Sequence, residues 1–129
     1  MIGGVILTHG PMGPAIIKAA ESILGNIDSI FELSTTNLSL NDISDKLNKK
    51  ITSENWDGGT IIMVSLKGGS CWNAAVTTAR QLPNVEVVSG VNLAMFISFL
   101  TKRNQIGLSD VAEKIKLDGI RGIDRYEVS

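Results

Sequence analysis

Apolar residues in this chain fall into two patterns that take turns along its length. Short unbroken runs read as buried strands, and runs recurring every three to four positions read as amphipathic helices. The first run, Ile2 to Leu7, is bounded by glycines and ends in Thr8-His9-Gly10, which predicts a short strand buried on both faces. Gly10 and Pro11 forbid further pairing and Pro14 opens a helical pattern, so His9 falls in a strand-to-helix turn. Ala15, Ile16, Ala19, Ala20, Ile23 and Leu24 then recur at helical spacing and stop at Gly25, a residue suited to a C-terminal cap. Ile27 to Leu33 predicts a second strand. Leu40, Ile43, Leu47 and Ile51 predict a second helix, with Ser39 or Asn41 as its cap and an acidic start and basic end opposing its dipole.

Gly58-Gly59 breaks the pattern before a third strand, Thr60 to Val64, which runs into Ser65-Leu66-Lys67-Gly68-Gly69-Ser70. Cys71 to Leu82 reads as a helix whose small face, Ala74, Ala75, Thr78 and Ala79, allows close packing on a sheet. Val85 to Val88 predicts a fourth strand and Ser89 to Asn92 another loop at a strand end. Leu93 to Arg103 is helical in length but apolar almost all round, which fits either a deeply buried helix or one covered in part by a second subunit. Ser109-Asp110 caps a last helix through Val111, Ala112 and Ile115, and Ile120 to Val128 reads as a charged edge strand.

Strand and helix alternate with no linker, repeat or low-complexity stretch, so residues 1–129 are expected to form one α/β domain, a sandwich with a mainly parallel sheet. The loops singled out all follow strands and therefore gather at one edge of the sheet. With the first strand beside the third and their helices leaving on opposite faces, His9 and the Ser65 to Ser70 loop border one crevice at the topological switch point.

Composition narrows the chemistry. Twelve basic residues against thirteen acidic ones give a formal net charge of −1, so no global field favours nucleic acid or an anionic membrane. Six aromatic residues supply no stacking platform either. No apolar run approaches the roughly 20 residues that span a bilayer, and no basic region precedes the first hydrophobic stretch, so a cytoplasmic protein is expected. The lone Cys71 makes no internal disulfide, and one His with one Cys is too few for a typical zinc site; no metal is expected.

Two features remain as candidate chemistry. Gly68-Gly69-Ser70 at a helix start presents unobstructed N–H groups beside a positive dipole end, a receptor for phosphate, although a diglycine also fits a plain turn. It is neither a Walker loop nor a dinucleotide fingerprint. His9 fits a satisfied bystander or a nucleophile, because imidazole titrates near neutrality and offers one bare nitrogen while the other is held. A nitrogen facing a phosphate cradle can take up a phosphoryl group and pass it on.

Val-Ile-Leu-Thr-His9-Gly, Gly68-Gly69-Ser70 with Asn73-Ala74-Ala75, and Ser89-Gly90-Val91-Asn92-Leu93 together resemble the enzyme IIA domain of the mannose-type sugar phosphotransferase system. The similarity is collinear over most of the chain and includes Ala-Glu-Ser-Ile-Leu-Gly closing the first helix. It implies a cytoplasmic homodimer with strand order 2-1-3-4 and a last, antiparallel edge strand exchanged with the partner subunit. It further implies that His9 accepts phosphoryl from the phosphocarrier protein HPr and donates it to enzyme IIB for carbohydrate uptake, with no added cofactor and only indirect contact with the membrane. Gly10, Gly68, Gly69 and Ser70 would receive the phosphate.

Where the family ordinarily has an Asp hydrogen-bonded to the active histidine, this chain has Ser65, which brings no charge. Cys71 stands where the family commonly has Pro, and Lys67 replaces a usually uncharged residue. The loss of the carboxylate opens an alternative: a regulatory binding module of the same fold that phosphorylates slowly or not at all. A Ser70 hydrolase with His9 as base lacks both the Gly-x-Ser-x-Gly elbow and an acidic partner placed by the sequence.

Overall fold

A computed structural model describes residues 1–128. Four strands, β1 (Gly3–Thr8), β2 (Ile30–Ser34), β3 (Thr60–Val64) and β4 (Val85–Ser89), form one parallel sheet in the order β2-β1-β3-β4. Five helices surround it: α1 (Met12–Leu24), α2 (Leu40–Glu54), α3 (Ser70–Gln81), α4 (Leu93–Lys102) and α5 (Leu108–Arg121).

The alternation along each strand divides the core in two. Ile6, Ile61 and Met63 pack with Ile16 and Ala20 of α1, Phe96 and Phe99 of α4 and Ile115 of α5. Val5, Leu7, Ile62 and Val64 pack on the other face with Ile43 and Leu47 of α2 and Ala74 and Ala75 of α3. Side chains on both faces of β1 and β3 are removed from water, which explains why those two strands read as unbroken apolar runs. The result is the expected three-layer sandwich, with α1 and α3 leaving neighbouring strands on opposite faces.

Several boundaries differ from the sequence reading. β2 starts at Ile30 rather than Ile27, after Ser29 turns the chain through a positive φ of 54°. Ser39 caps α2, its hydroxyl accepting from the Asp42 amide at 3.1 Å, but the helix continues to Glu54. Lys49 and Lys50 are therefore not its terminal charges, and Lys50 instead pairs with Glu54 at 2.9 Å. α5 begins at Leu108 behind Gly107, with no side-chain cap from Ser109.

The predicted strand over Ile120 to Val128 is not formed in the single chain. Ile120 and Arg121 close α5, and residues 122–128 run without a ladder partner among the described residues, leaving Ile123, Tyr126 and Val128 largely in solvent. A strand is defined by pairing, and Ile120 to Val128 forms no ladder with β4. The all-round apolar helix, α4, buries Met95, Phe96 and Phe99 in the core it shares with α1 and α5, while Leu93 stays partly exposed near the more exposed Ile23 of α1.

Candidate functional site

Parallel pairing brings the ends of all four strands level. Thr8 stands opposite Ser34, Leu7 opposite Val64, and Val64 opposite Ser89. One step beyond those pairs lie His9, Thr35, Ser65 and Gly90, so four separate loops supply one rim.

His9 is exposed, yet its backbone follows a wholly buried strand. Its Nδ1 lies 3.4 Å from the Thr35 hydroxyl, and no other side-chain bond holds the ring among the described residues, so Nε2 is left without a protein partner. Thr35 is buried, and its hydroxyl also lies 3.5 Å from Cys71 Sγ in the first turn of α3. His9, Thr35 and the start of α3 are thereby one connected group. Thr35, one residue beyond β2, is the link between the end of β1 and the start of α3.

The start of α3 is shaped for an anion. Gly68 takes a φ of +86°, which a side chain would strain, and Gly69 is the N-cap, offering no side chain to the first-turn amides. The N–H groups of Ser70, Cys71 and Trp72 therefore have no helical acceptor, whereas α2 and α4 are capped by Ser39 and Asn92. These free amides and the helix dipole converge on the exposed Gly68-Gly69-Ser70 turn, where Lys67 is also exposed.

Two other predicted residues have different surroundings. The Gly10 amide donates to Thr36 Oγ1 at 3.0 Å, so that N–H is already engaged. Ser65 is half-buried and makes no hydrogen bond to His9 among the described residues; the neighbour of Nδ1 is Thr35. The sequence alone does not single out Thr35. Its signal was faint: a polar Ser34-Thr35-Thr36 run closing a strand whose end lies on the same rim.

The exposed imidazole thus stands at the carboxyl end of a central strand in an open parallel sheet, the place where doubly wound folds hold their ligands. The chain belongs to the EIIA-man family, described as PTS system fructose IIA component, whose family model matches residues 3–116. It is 24% identical over 116 residues to the PTS system sorbose-specific EIIA component of Klebsiella pneumoniae, covering 90% of this chain and 85% of that protein. It is 28% identical over 101 residues to the PTS system mannose-specific EIIAB component of Escherichia coli strain K12, covering 78% of this chain but only 31% of that longer protein.

Among solved structures, the phosphotransferase system component EIIA from Streptococcus agalactiae superimposes with a TM-score of 0.89 at 22% identity, covering 97% of each chain. The mannose/sorbose specific IIA subunit from Enterococcus faecalis gives 0.81 at 22% identity, covering 98% of this chain and 96% of that one. These two likenesses are of fold. Family membership gives the chain a phosphoryl-carrier role in a sugar phosphotransferase system. No helix among the described residues is long and apolar enough to cross a membrane.

Proposed function

We propose that His9 is the phosphoryl acceptor, loaded by phospho-HPr and unloaded by enzyme IIB in the cytoplasm. The observation that carries this reading is the His9 ring itself, exposed at the end of a fully buried central strand with Nδ1 beside Thr35 and Nε2 unpartnered. In transfer the Nε2 lone pair attacks phosphorus, the bond from phosphorus to the donor's imidazole breaks, and that electron pair returns to the donor ring. The amides of Ser70 and its neighbours, aided by the open backbone at Gly68 and Gly69, stabilise the equatorial oxygens. Gly10 joins them by exchanging Thr36 for phosphate. Ser65 lines the rim as an uncharged neighbour in place of a carboxylate.

The homodimer belongs to the same proposal. The outer edge of β4 has no strand partner among the described residues, and beside it lies a groove of about 820 Å³ lined by Trp72, Glu86, Val88, Gly90, Ile120 and Ile123. The unpaired Ile123 to Val128 segment leaves from that groove with its apolar side chains in water. Addition of this segment to the partner's β4 would satisfy both exposed edges at once.

Incubation with phosphoenolpyruvate, enzyme I and HPr tests the carrier role. A prompt acid-labile label is expected on the native protein and none on His9→Ala. The uncharged surroundings of Nδ1 favour one second reading, a regulatory module that reports its state to a partner. No label after prolonged incubation of the native protein selects that module.

A further inference from the structure

Thr35 is fixed more firmly than a loop residue ordinarily is. Its N–H donates to the Thr8 carbonyl at 2.9 Å, its own carbonyl accepts from Leu38 N–H at 3.1 Å, and only 4% of its surface is exposed. Those two bonds hold its hydroxyl between His9 Nδ1 at 3.4 Å and Cys71 Sγ at 3.5 Å. The hydroxyl carries a single proton and can donate to only one of them.

Direction decides function here. A neutral imidazole in water prefers its proton on Nε2, which would occupy the outward nitrogen and leave the inward one as the nucleophile. An acceptor at Nδ1 reverses that preference. A hydroxyl serves as that acceptor if its own proton has somewhere else to go, and the sulfur of Cys71 supplies the place. The contact to Nδ1 is long for an N–H···O bond, as hydrogen bonds at a reacting group often are before the partner arrives.

We propose that Thr35, with Cys71 behind it, is the positioning residue that sets the His9 tautomer through the relay Nδ1–H···Oγ1–H···Sγ. This uncharged pair takes the place of a carboxylate, and the inference rests on the carrier reading of His9. During transfer the Nε2–phosphorus bond forms while Nδ1 keeps its proton, and the positive charge gained by the ring is shared with the Thr35 oxygen. No proton need leave the site.

The test uses nitrogen-15 spectroscopy of the imidazole, which is unambiguous because the chain has one histidine. At a pH where the ring is neutral, native protein and Thr35→Ser are expected to show the Nδ1–H form. Thr35→Val is expected to shift the population toward Nε2–H, and Cys71→Ala to do so less, with Cys71→Ser restoring the native spectrum. The initial rate of labelling by phospho-HPr should fall about fivefold in Thr35→Val and recover in Thr35→Ser, as expected for one neutral hydrogen bond. Thr35→Ala serves as the hydroxyl-free variant if valine disturbs the fold. An unchanged tautomer in a folded hydroxyl-free variant overturns the proposal. A native protein that takes no label defeats the carrier reading instead, and the tautomer spectra still judge Thr35.

Discussion

The two edges of the sheet use glycine for opposite reasons. At the edge away from His9, Gly3 and Gly59 make room: a methyl group on Gly3 would lie 1.8 Å from Cδ2 of Trp56, and one on Gly59 would lie 2.8 Å from the Asn84 carbonyl oxygen. That edge is also laced by backbone bonds, Gly3 to Gly59, Gly58 to Met1 and Thr60 to Asn84. At the His9 edge, a methyl group on Gly10, Gly68, Gly69 or Gly90 would meet nothing within 4 Å. Three of those four have positive φ, but Gly69 has an ordinary φ of −89°. Neither crowding nor backbone geometry in the free protein demands glycine at Gly69. Gly69 is thus free of the crowding that fixes Gly3 and Gly59, and the proposed approach of phosphate to its backbone would give it a use.

Substitutions should separate the edges. The largest effect is expected from Gly3→Ala, which overpacks the closed edge against Trp56 and should lower stability by about 2 kcal/mol in denaturant titration. Labelling per folded molecule should stay at the native level; a selective loss of transfer would erase the contrast.

Ser65→Asp comes next and works in the other direction. A carboxylate at the end of β3 adds negative charge where the ring becomes positive, and such partners are worth roughly 10 to 100-fold where metals are concerned. Because Thr35 already occupies Nδ1, the gain in labelling rate is expected to stay below about tenfold. A larger acceleration would mean that the native site is built to be slow.

Gly69→Ala should leave the unfolding free energy within about 0.5 kcal/mol of native, as read by denaturant titration. Transfer should slow about threefold as the methyl group crowds the incoming phosphate, an effect on the order of 0.6 kcal/mol. Equal transfer rates would show that the backbone there is not approached.

The smallest effect lies in the helices that join the edges. Asp118 of α5 accepts from Ser98 of α4 at 2.6 Å, and it pairs with Lys114 at 3.1 Å and Arg121 at 3.2 Å. The Ser98 hydroxyl, then the two cations, hold its carboxyl below the ordinary 3.8. A depressed carboxyl contributes stability at pH values above 3.8 and loses it as the pH falls through the lower folded value. Asp118→Asn should therefore flatten the acid limb of a stability profile below about pH 4 and change nothing in its slope near neutrality.

The fold was largely legible because its central strands obey one rule. The bounds of Thr60 to Val64 are plain in the sequence, since glycines precede it and every side chain in it is buried. β2 was blurred because it lies at an edge, with partly exposed side chains, and its start is set by the turn at Ser29 rather than by hydrophobicity. The end of α2 was missed because polar residues after Ile51 carry no periodic signal, although a left-handed Asn55 closes the helix. The C-terminal segment alternates like a strand, but alternation does not name a partner.

The candidate site was legible in part. His9 and the diglycine stand out as singular residues, and their strand-end position follows from the alternating pattern. Thr35 does not stand out, because a buried threonine after an edge strand is common and its distances to His9 and Cys71 arise only from tertiary packing.

The placement of His9 one residue beyond β1, the strand paired on both sides, has a consequence for traffic. With its backbone anchored to the sheet, His9 as the proposed acceptor would offer a single berth, at which loading and unloading would take turns. A carrier of this build would be throttled by a surplus of either visitor, because each blocks the mooring of the other.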